Sequence, residues 1–242
     1  MALFDFFKKK KNTVQQQESY SKVGQKSSYE LSATEHTDAQ NSTITQEPKR
    51  ESYYNLEDIK TMKMEDYMIC PYDAGWFFQA PDAEVIPTLA NSTEIRKYLP
   101  GLKLDTAKSC KNTLKECLMK TEAGLGITYV IRHQNFPIGM IILSSPLYNE
   151  KAINLRIWTI DFFIIKMFEH HGIMYNSLKK VLYQVKNMNA KYVYATIDQT
   201  NKACINLLGN GFFTEIDNSH FYNKEAIGEK PLVYRINLCT DL

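Results

Sequence analysis

Beyond residue 57 the chain switches between two hydrophobic periods, the two-residue period of strands and the three-to-four-residue period of helices. "DYMICPY", Asp66 to Tyr72, reads as a first strand, and a helical stretch opens at Asp82. In "STEIRKYLPGL" Ser92 caps a short helix that Pro100 and Gly101 stop. Ala107, Cys110, Leu114, Cys117 and Leu118 recur at three- and four-residue spacing, which makes one apolar helix face. "GITYVIRH" and "FPIGMIILS" are β-branched and aromatic runs parted by Gln134 and Asn135, with Pro137 close behind, and they predict an antiparallel hairpin. A longer strand, "INLRIWTIDFFII", leads directly into a helix whose buried face is Leu178, Val181, Leu182 and Val185 and which runs to about Asn189. A strand "KYVYATID", a short helix "NKACINLLGN" and a last strand "PLVYRINLC" complete the order. Strands that feed helices and return predict an α/β (α+β) domain on a mixed sheet with a parallel pair at its centre.

Ahead of this region the pattern is lost. Asn12 to Arg50 is rich in Gln, Ser and Thr, and its few apolar residues have no period, so burial cannot repay the entropy of ordering. Residues 1–57 are expected to be a disordered tail and residues 58–242 the folded domain. At the start, "MALFDFFKKKK" sets Leu3, Phe4, Phe6 and Phe7 before Lys8 to Lys11, the reverse of a secretory signal. Ala2 stands where myristoylation needs Gly. Two readings stay open for this segment: an unstructured solubilising end, or a weak, salt-sensitive contact with a membrane surface or a partner. The longest apolar runs, such as Phe162 to Ile165, fall far short of the roughly 20 residues of a spanning helix.

Composition narrows the partners. Twenty-nine Lys and Arg stand against 27 Asp and Glu, a net charge of +2 that predicts no basic groove and no nucleic-acid partner. The five cysteines are odd in number and show neither C-x-x-C pairing nor disulfide-framework spacing, which fits a reducing cytoplasm. Cys110 and Cys117, on the helix face above, read as small core hydrophobes.

Candidate chemistry concentrates where the long strand meets its helix, in "FEHHGIMYNSL", Phe168 to Leu178. Adjacent His170 and His171 point in different directions on a turn, and no Cys, Asp or Glu adds a third ligand at helical spacing, so no metal site is expected. An imidazole beside phosphate would gain charge, and a pH response and a turn histidine without a role both stay open. A glycine between strand and helix lets backbone N–H groups and the positive end of the helix dipole receive phosphate, and Gly172 is placed for that.

Three motifs within residues 60–240 resemble the GNAT superfamily of acyl-CoA N-acyltransferases, most closely its ribosomal-protein N-terminal acetyltransferase branch. The family's pyrophosphate signature is Gln or Arg, two residues, Gly, one residue, then Gly or Ala. Glu169, His170, His171, Gly172, Ile173 and Met174 occupy it after "IDFFII" in ungapped register, and Gly172 matches outright. "IDQTNKACINLL" resembles the strand-loop-helix in which an asparagine, here Asn201, meets the pantetheine arm, and "ANSTEIRKYLPGL" resembles the helix before the branch's acceptor loop. The resemblance implies a mostly antiparallel sheet with a central parallel pair flanked by helices. It implies acetyl-CoA as co-substrate and direct attack on the thioester by a primary amine, on a protein N-terminus or a small molecule. Backbone groups of Phe163, Ile164 and Ile165 would hold the pantetheine arm and carbonyl, and those of His170, His171, Gly172, Ile173, Met174 and Tyr175 the pyrophosphate. Cys204 would stand in for a serine of the short helix; it has no visible activating base and does not read as a nucleophile.

The departures from the family pattern are specific. Glu169 replaces Gln or Arg, Met174 stands where little side chain is wanted near the phosphates, and Leu208 occupies the place of a tyrosine that can protonate the leaving thiolate. The short helix is also one residue short before "GFF". A carboxylate at Glu169 repels pyrophosphate yet favours the helix dipole, and the two histidines would replace the positive charge it removes. Asp161 interrupts a nearly all-apolar strand at a position where the branch often has glycine. It either faces the acceptor cleft, orienting the ammonium or deprotonating it through water, or is a hydrogen-bonded structural Asp. Two functions follow: an N-acetyltransferase, or a GNAT-fold module that has lost catalysis and serves binding or regulation.

Overall fold

Among the described residues, eight strands form one sheet in the order β1-β2-β3-β4-β5-β6-β8-β7. They are β1 (Met62–Lys63), β2 (Met68–Pro71), β3 (Gly126–His133), β4 (Phe136–Ser144), β5 (Ile157–Ile164), β6 (Tyr192–Asp198), β7 (Thr214–Ile216) and β8 (Pro231–Asn237). Every neighbouring pair is antiparallel except β5 and β6, so the expected parallel pair sits inside a mostly antiparallel sheet. The α-helices that accompany it are α1 (Ala74–Gln79), α2 (Asp82–Leu89), α3 (Thr93–Tyr98), α4 (Ala107–Glu122), α5 (Ile173–Asn187) and α6 (Lys202–Gly209). This computed structural model describes residues 54–89, 93–145, 156–216 and 231–242, all within one compact unit. The expected tail up to residue 53, the Ser92 cap and the first residues of "INLRIWTIDFFII" lie outside the described residues.

The sheet is covered on both faces, which explains why its central strands read as apolar runs rather than as an alternation. Ile127, Tyr129 and Ile131 of β3 enter the larger core under α5 with Leu178, Val181, Leu182 and Val185, while Val130 enters a second core with Cys110 and Leu114 of α4. The expected hairpin is β3–β4, with Gln134 and Asn135 both at positive φ in its turn. Gly139 allows β4 and β5 to close up, since a Cβ there would stand 2.7 Å from the Phe163 carbonyl oxygen. α4 starts with a capping box between Thr106 and Ser109, so Ala107 is its exposed first residue rather than part of the apolar face. The buried face is Cys110, Thr113, Leu114, Cys117, Leu118 and Thr121.

Two features were not legible in the sequence. Arg132 of β3 is 0% exposed and Asp82 of α2 is 1% exposed, and the pair makes two hydrogen bonds, Nη1 to Oδ1 at 2.9 Å and Nη2 to Oδ2 at 2.5 Å. The guanidinium also lies 3.7 Å over the Trp76 ring of α1, so one buried charge pair ties α1 and α2 to the sheet. Tyr54 is the second. It is 5% exposed, its ring packs 5.7 Å from Trp158, and its hydroxyl donates to the Gly126 carbonyl at 2.9 Å. The core therefore takes in a residue upstream of the expected domain start at 58.

Candidate functional site

The parallel pair is short. β5 and β6 bond only over Ile157–Thr159 and Tyr192–Tyr194. Past that point β5 stays on β4 as far as Ile164, while β6 stays on β8 as far as Asp198. Each strand follows its outer neighbour's twist, and the two splay apart. Ile160–Ile164 thus face Ala195–Asp198 without a ladder between them, and the inward backbone groups are open to a ligand. A cavity of about 660 Å³ fills the gap. Its walls come from both sides of the sheet: Phe162 and Ile197 belong to the core under α5, whereas Phe163 belongs to the second core with Ile95 of α3. The cavity therefore passes through the sheet, from the start of α5 to the underside of α3.

At the α5 mouth the expected cradle is built from backbone. Gly172 is the N-cap, left-handed at φ 71° and ψ 0°, and has no side chain with which to cap the helix. The first intrahelical bond runs from Asn176 N–H to the Gly172 carbonyl, so the N–H groups of Ile173, Met174 and Tyr175 have no acceptor within the helix. With the helix dipole behind them, these residues suit an anion. Met174 also lines the cavity, but it is 6% exposed and belongs to the core under α5, so most of its side chain is buried rather than standing in the open mouth. His170, also at positive φ, lines the cavity. His171 does not; it is exposed, with Nδ1 2.6 Å from the Glu169 carbonyl oxygen. Glu169 is half-buried against the cavity, beside this helix start.

Along β5, Phe163 and Ile164 line the cavity, but Ile165 does not, and its N–H is already committed to the Ile138 carbonyl at 2.9 Å. Opposite them, Asn201 caps α6 by accepting the Cys204 N–H at 3.1 Å through Oδ1, which leaves its amide nitrogen to offer a ligand. Asp198 Oδ1 accepts both the N–H and the hydroxyl of Thr200, at 2.7 and 2.6 Å, and these bonds hold its carboxyl below the usual range. Cys204 also lines the cavity. Burial pushes its thiol up to about 11, a hydrogen bond with Asn201 pulls it down and the Glu169 charge adds to the rise, so it stays a neutral thiol near pH 7.

Asp161 stands in the cavity wall on the far side, solvent-facing but surrounded by protein. Desolvation by those surroundings raises its carboxyl above the ordinary value, with Lys120 of α4 acting in the opposite direction. Over the same end lies α3, which the sequence placed as a helix but not as a cavity wall. Ile95, Tyr98 and Leu99 line the cavity, the Tyr98 hydroxyl donates to the Thr200 carbonyl at 3.3 Å, and Lys97 Nζ donates to the Tyr98 and Thr200 hydroxyls at 3.2 and 3.1 Å. No local pattern signals this bridge, because its partners are about a hundred residues apart. The Asp198–Thr200 turn could have been found, since a short Asp-x-Thr step before a helix is recognisable turn chemistry. Leu208 is 1% exposed in the main core and presents nothing to the cavity. Among the described residues no cluster of His, Cys, Asp and Glu could hold a metal ion, and no helix is long and apolar enough to cross a membrane.

The sequence profile of the acetyltransferase (GNAT) domain matches residues 77–211, more than half of the chain. No curated protein matches the sequence. Among solved structures, the ribosomal-protein-S5-alanine acetyltransferase from Vibrio fischeri is similar with a TM-score of 0.58 and 14% identity, over 76% of this chain and 99% of that one. A ribosomal L7/L12 α-N-protein acetyltransferase in complex with coenzyme A gives 0.59 and 13%, over 74% and 98%. A microcin C7 self-immunity acetyltransferase in complex with acetyl-CoA and AMP gives 0.58 and 12%, over 72% and 93%.

Proposed function

Because the chain belongs to the GNAT acetyltransferase family, we propose that it transfers the acetyl group of acetyl-CoA to a primary amine, on a protein N-terminus or a small molecule. One observation carries the reading: the parallel strand pair splays into a cavity that ends at a glycine-capped helix start. Acetyl-CoA supplies an activated acyl group, so the protein needs no nucleophile of its own, in keeping with the neutral Cys204 thiol. The N–H groups of Ile173, Met174 and Tyr175, left over by the helix, receive the pyrophosphate, with His170 beside them. The open edge at Phe163 and Ile164 and the amide of Asn201 hold the pantetheine arm from its two sides. Asp161, at the other end, orients the incoming ammonium and takes its proton, directly or through water. A carboxyl with a raised pKa is a better base near neutral pH than an ordinary one.

A second reading keeps the fold and drops the reaction: a binding or regulatory module. Glu169 at the anion site and Leu208 in the core favour it. The N-terminal segment, as a weak tether to a membrane surface or partner, serves either reading, and five free cysteines support a reducing, cytoplasmic setting. Calorimetric titration with acetyl-CoA, followed by incubation with short peptides bearing free α-amines, tests both. Binding with acetyl transfer supports the enzyme, and binding without transfer supports the module. No binding at millimolar acetyl-CoA would reject the acetyltransferase.

A further inference from the structure

The outer face of α4 takes no part in the cavity, and its composition is not that of a plain solvated helix. Lys108, Lys111 and Lys115 recur at three- and four-residue spacing with Met119 beyond them, and all four are exposed, Met119 by 56%. The three lysines make no ion pair among the described residues. Glu116 flanks the stripe and Glu122 ends it, so lysines outnumber carboxylates on this face. α1 lies alongside: Lys111 Nζ stands 6.0 Å over the Phe77 ring, and Phe77 meets Phe78 edge-on at 5.1 Å. Phe78 is 79% exposed, more than any other exposed large hydrophobic of the described residues. A single exposed apolar side chain is ordinary, but a phenylalanine and a methionine set among three unpaired lysines form a patch with one sign of charge and an apolar centre.

We propose that the outer stripe of α4, together with Phe78 of α1, docks on an anionic phospholipid surface, with the lysines at the headgroups and Phe78 and Met119 in the interface below them. The inference goes beyond the acetyltransferase reading and does not depend on it. Charge complementarity selects an anionic occupant, and the apolar pair selects a fluid one. A nucleic acid would hold the lysines with a fixed line of phosphates and bring that line against Glu116, Glu122 and Met119. Lipids rearrange: acidic headgroups gather at the lysines, neutral ones face the glutamates, and the lysine stems lie along the acyl boundary. The start of the chain repeats the same chemistry, with Leu3, Phe4, Phe6 and Phe7 before Lys8 to Lys11. Tyr54, from which that segment departs, donates its hydroxyl to the Thr121 carbonyl in the last turn of α4 at 3.4 Å and to the Gly126 carbonyl at 2.9 Å. About 40 residues separate Lys11 from Tyr54, ample to span the roughly 24 Å length of α4, so both parts can meet one surface.

The test is co-sedimentation of the full chain with vesicles of phosphatidylcholine alone and of phosphatidylcholine mixed with phosphatidylserine, at low and high salt. The wild type should bind the mixed vesicles and not the neutral ones, and more weakly as salt rises. A lysine near an anionic surface contributes roughly a fivefold factor, so replacing Lys108, Lys111 and Lys115 together by Gln should weaken binding on the order of 100-fold. Phe78→Ser should weaken it on the order of tenfold and keep the salt dependence, and the emission of Phe78→Trp should shift to the blue on mixed vesicles only. All these side chains are exposed or lie at the surface end of α1, so melting temperatures should stay close to that of the wild type. A variant with Lys8 to Lys11 replaced by Gln separates the two parts: the α4 substitutions should weaken binding further in that background. An α4 variant that binds as the wild type does would assign any contact to the N-terminal segment and overturn the proposal. It is overturned as well by a wild type that ignores mixed vesicles, by equal binding to neutral ones, or by a short RNA duplex that binds through the same lysines while vesicles do not. None of these outcomes alters the acetyl-CoA titration, so the acetyltransferase reading is judged separately.

Discussion

Placing a charge on Gly172 separates a phosphate cradle from a turn that merely starts a helix. Gly172→Asp and Gly172→Asn add side chains of the same size, and both residues tolerate the left-handed conformation better than other substitutes. At φ 71° some strain is shared by both, on the order of 1 kcal/mol, or a few degrees in Tm. Space is not the obstacle, since a Cβ at Gly172 would meet only Asn176 Nδ2, at 3.8 Å. The Asp carboxylate, however, would stand about 5 Å from a phosphate held on the next N–H groups. One unit charge there costs about 3 kcal/mol at an effective dielectric of 20 and about 0.8 kcal/mol at that of water. The mouth is open, so Gly172→Asp should bind acetyl-CoA on the order of 10-fold more weakly than Gly172→Asn, and the gap should narrow in high salt. Calorimetric titration of wild type, Asn and Asp variants at two salt concentrations measures it. Equal affinities for Asn and Asp would refute the cradle, whatever their melting temperatures.

The neighbouring carboxylate should act in reverse: Glu169→Gln should tighten acetyl-CoA binding by up to about 1 kcal/mol, less in salt, because it relieves a half-exposed like-charge contact. On the proposed reading Asp161 acts as the base in its ionised form, so activity should fall as pH drops through its raised carboxyl value, and Asp161→Asn should lose both rate and that acid limb while binding acetyl-CoA normally. An Asp161→Asn profile identical to the wild type would assign the residue to structure alone. A chain starting at Arg50 should keep a cooperative melt, whereas one starting at Leu56 loses Tyr54 and should melt lower. Arg132→Met leaves Asp82 charged and buried, which should destabilise by about 3–5 kcal/mol, and Arg132→Met with Asp82→Leu should recover much of that; a double variant no better than the single would show that the pair itself supplies the stability.

The parts of the fold legible in the sequence are those that one chain segment decides by itself. Leu178, Val181, Leu182 and Val185 mark a helix face because the helix repeats every 3.6 residues, and that face is buried as expected. Gln134–Asn135 between two β-branched runs is enough for a hairpin. Gly172 was legible as well, because the joint between a strand and a helix there needs a left-handed residue, which glycine adopts without strain. What escaped depends on residues far apart. Arg132 and Asp82 look like ordinary surface charges until α2 is laid across β3. Tyr98 looks like the polar end of a short helix until α3 meets the loop before α6. Met174 looked like an obstruction because sequence position gives its backbone place but not the direction of its side chain. His171 and Ile165 were read from their neighbours in the motif, but one turns outward and the other spends its N–H on β4.

The same distinction bears on whether a poorly matching motif signals lost function. On the phosphate side the expected contacts are backbone N–H groups at the start of α5, fixed by the helix and by one left-handed residue. Changing the flanking side chains, as at Glu169 and Met174, alters the local charge but removes none of those donors. On the acceptor side the chemistry has to come from side chains, and there position in the fold matters more than position in a motif. Leu208 is buried in the core and offers no acid there, whereas Asp161 stands in the far wall of the cavity. Binding alone accounts for the helix start and the splay, but it offers no reason for a solvent-facing carboxylate to line the far wall of the cavity. On the proposed reading, that carboxylate is what a purely binding module would not need.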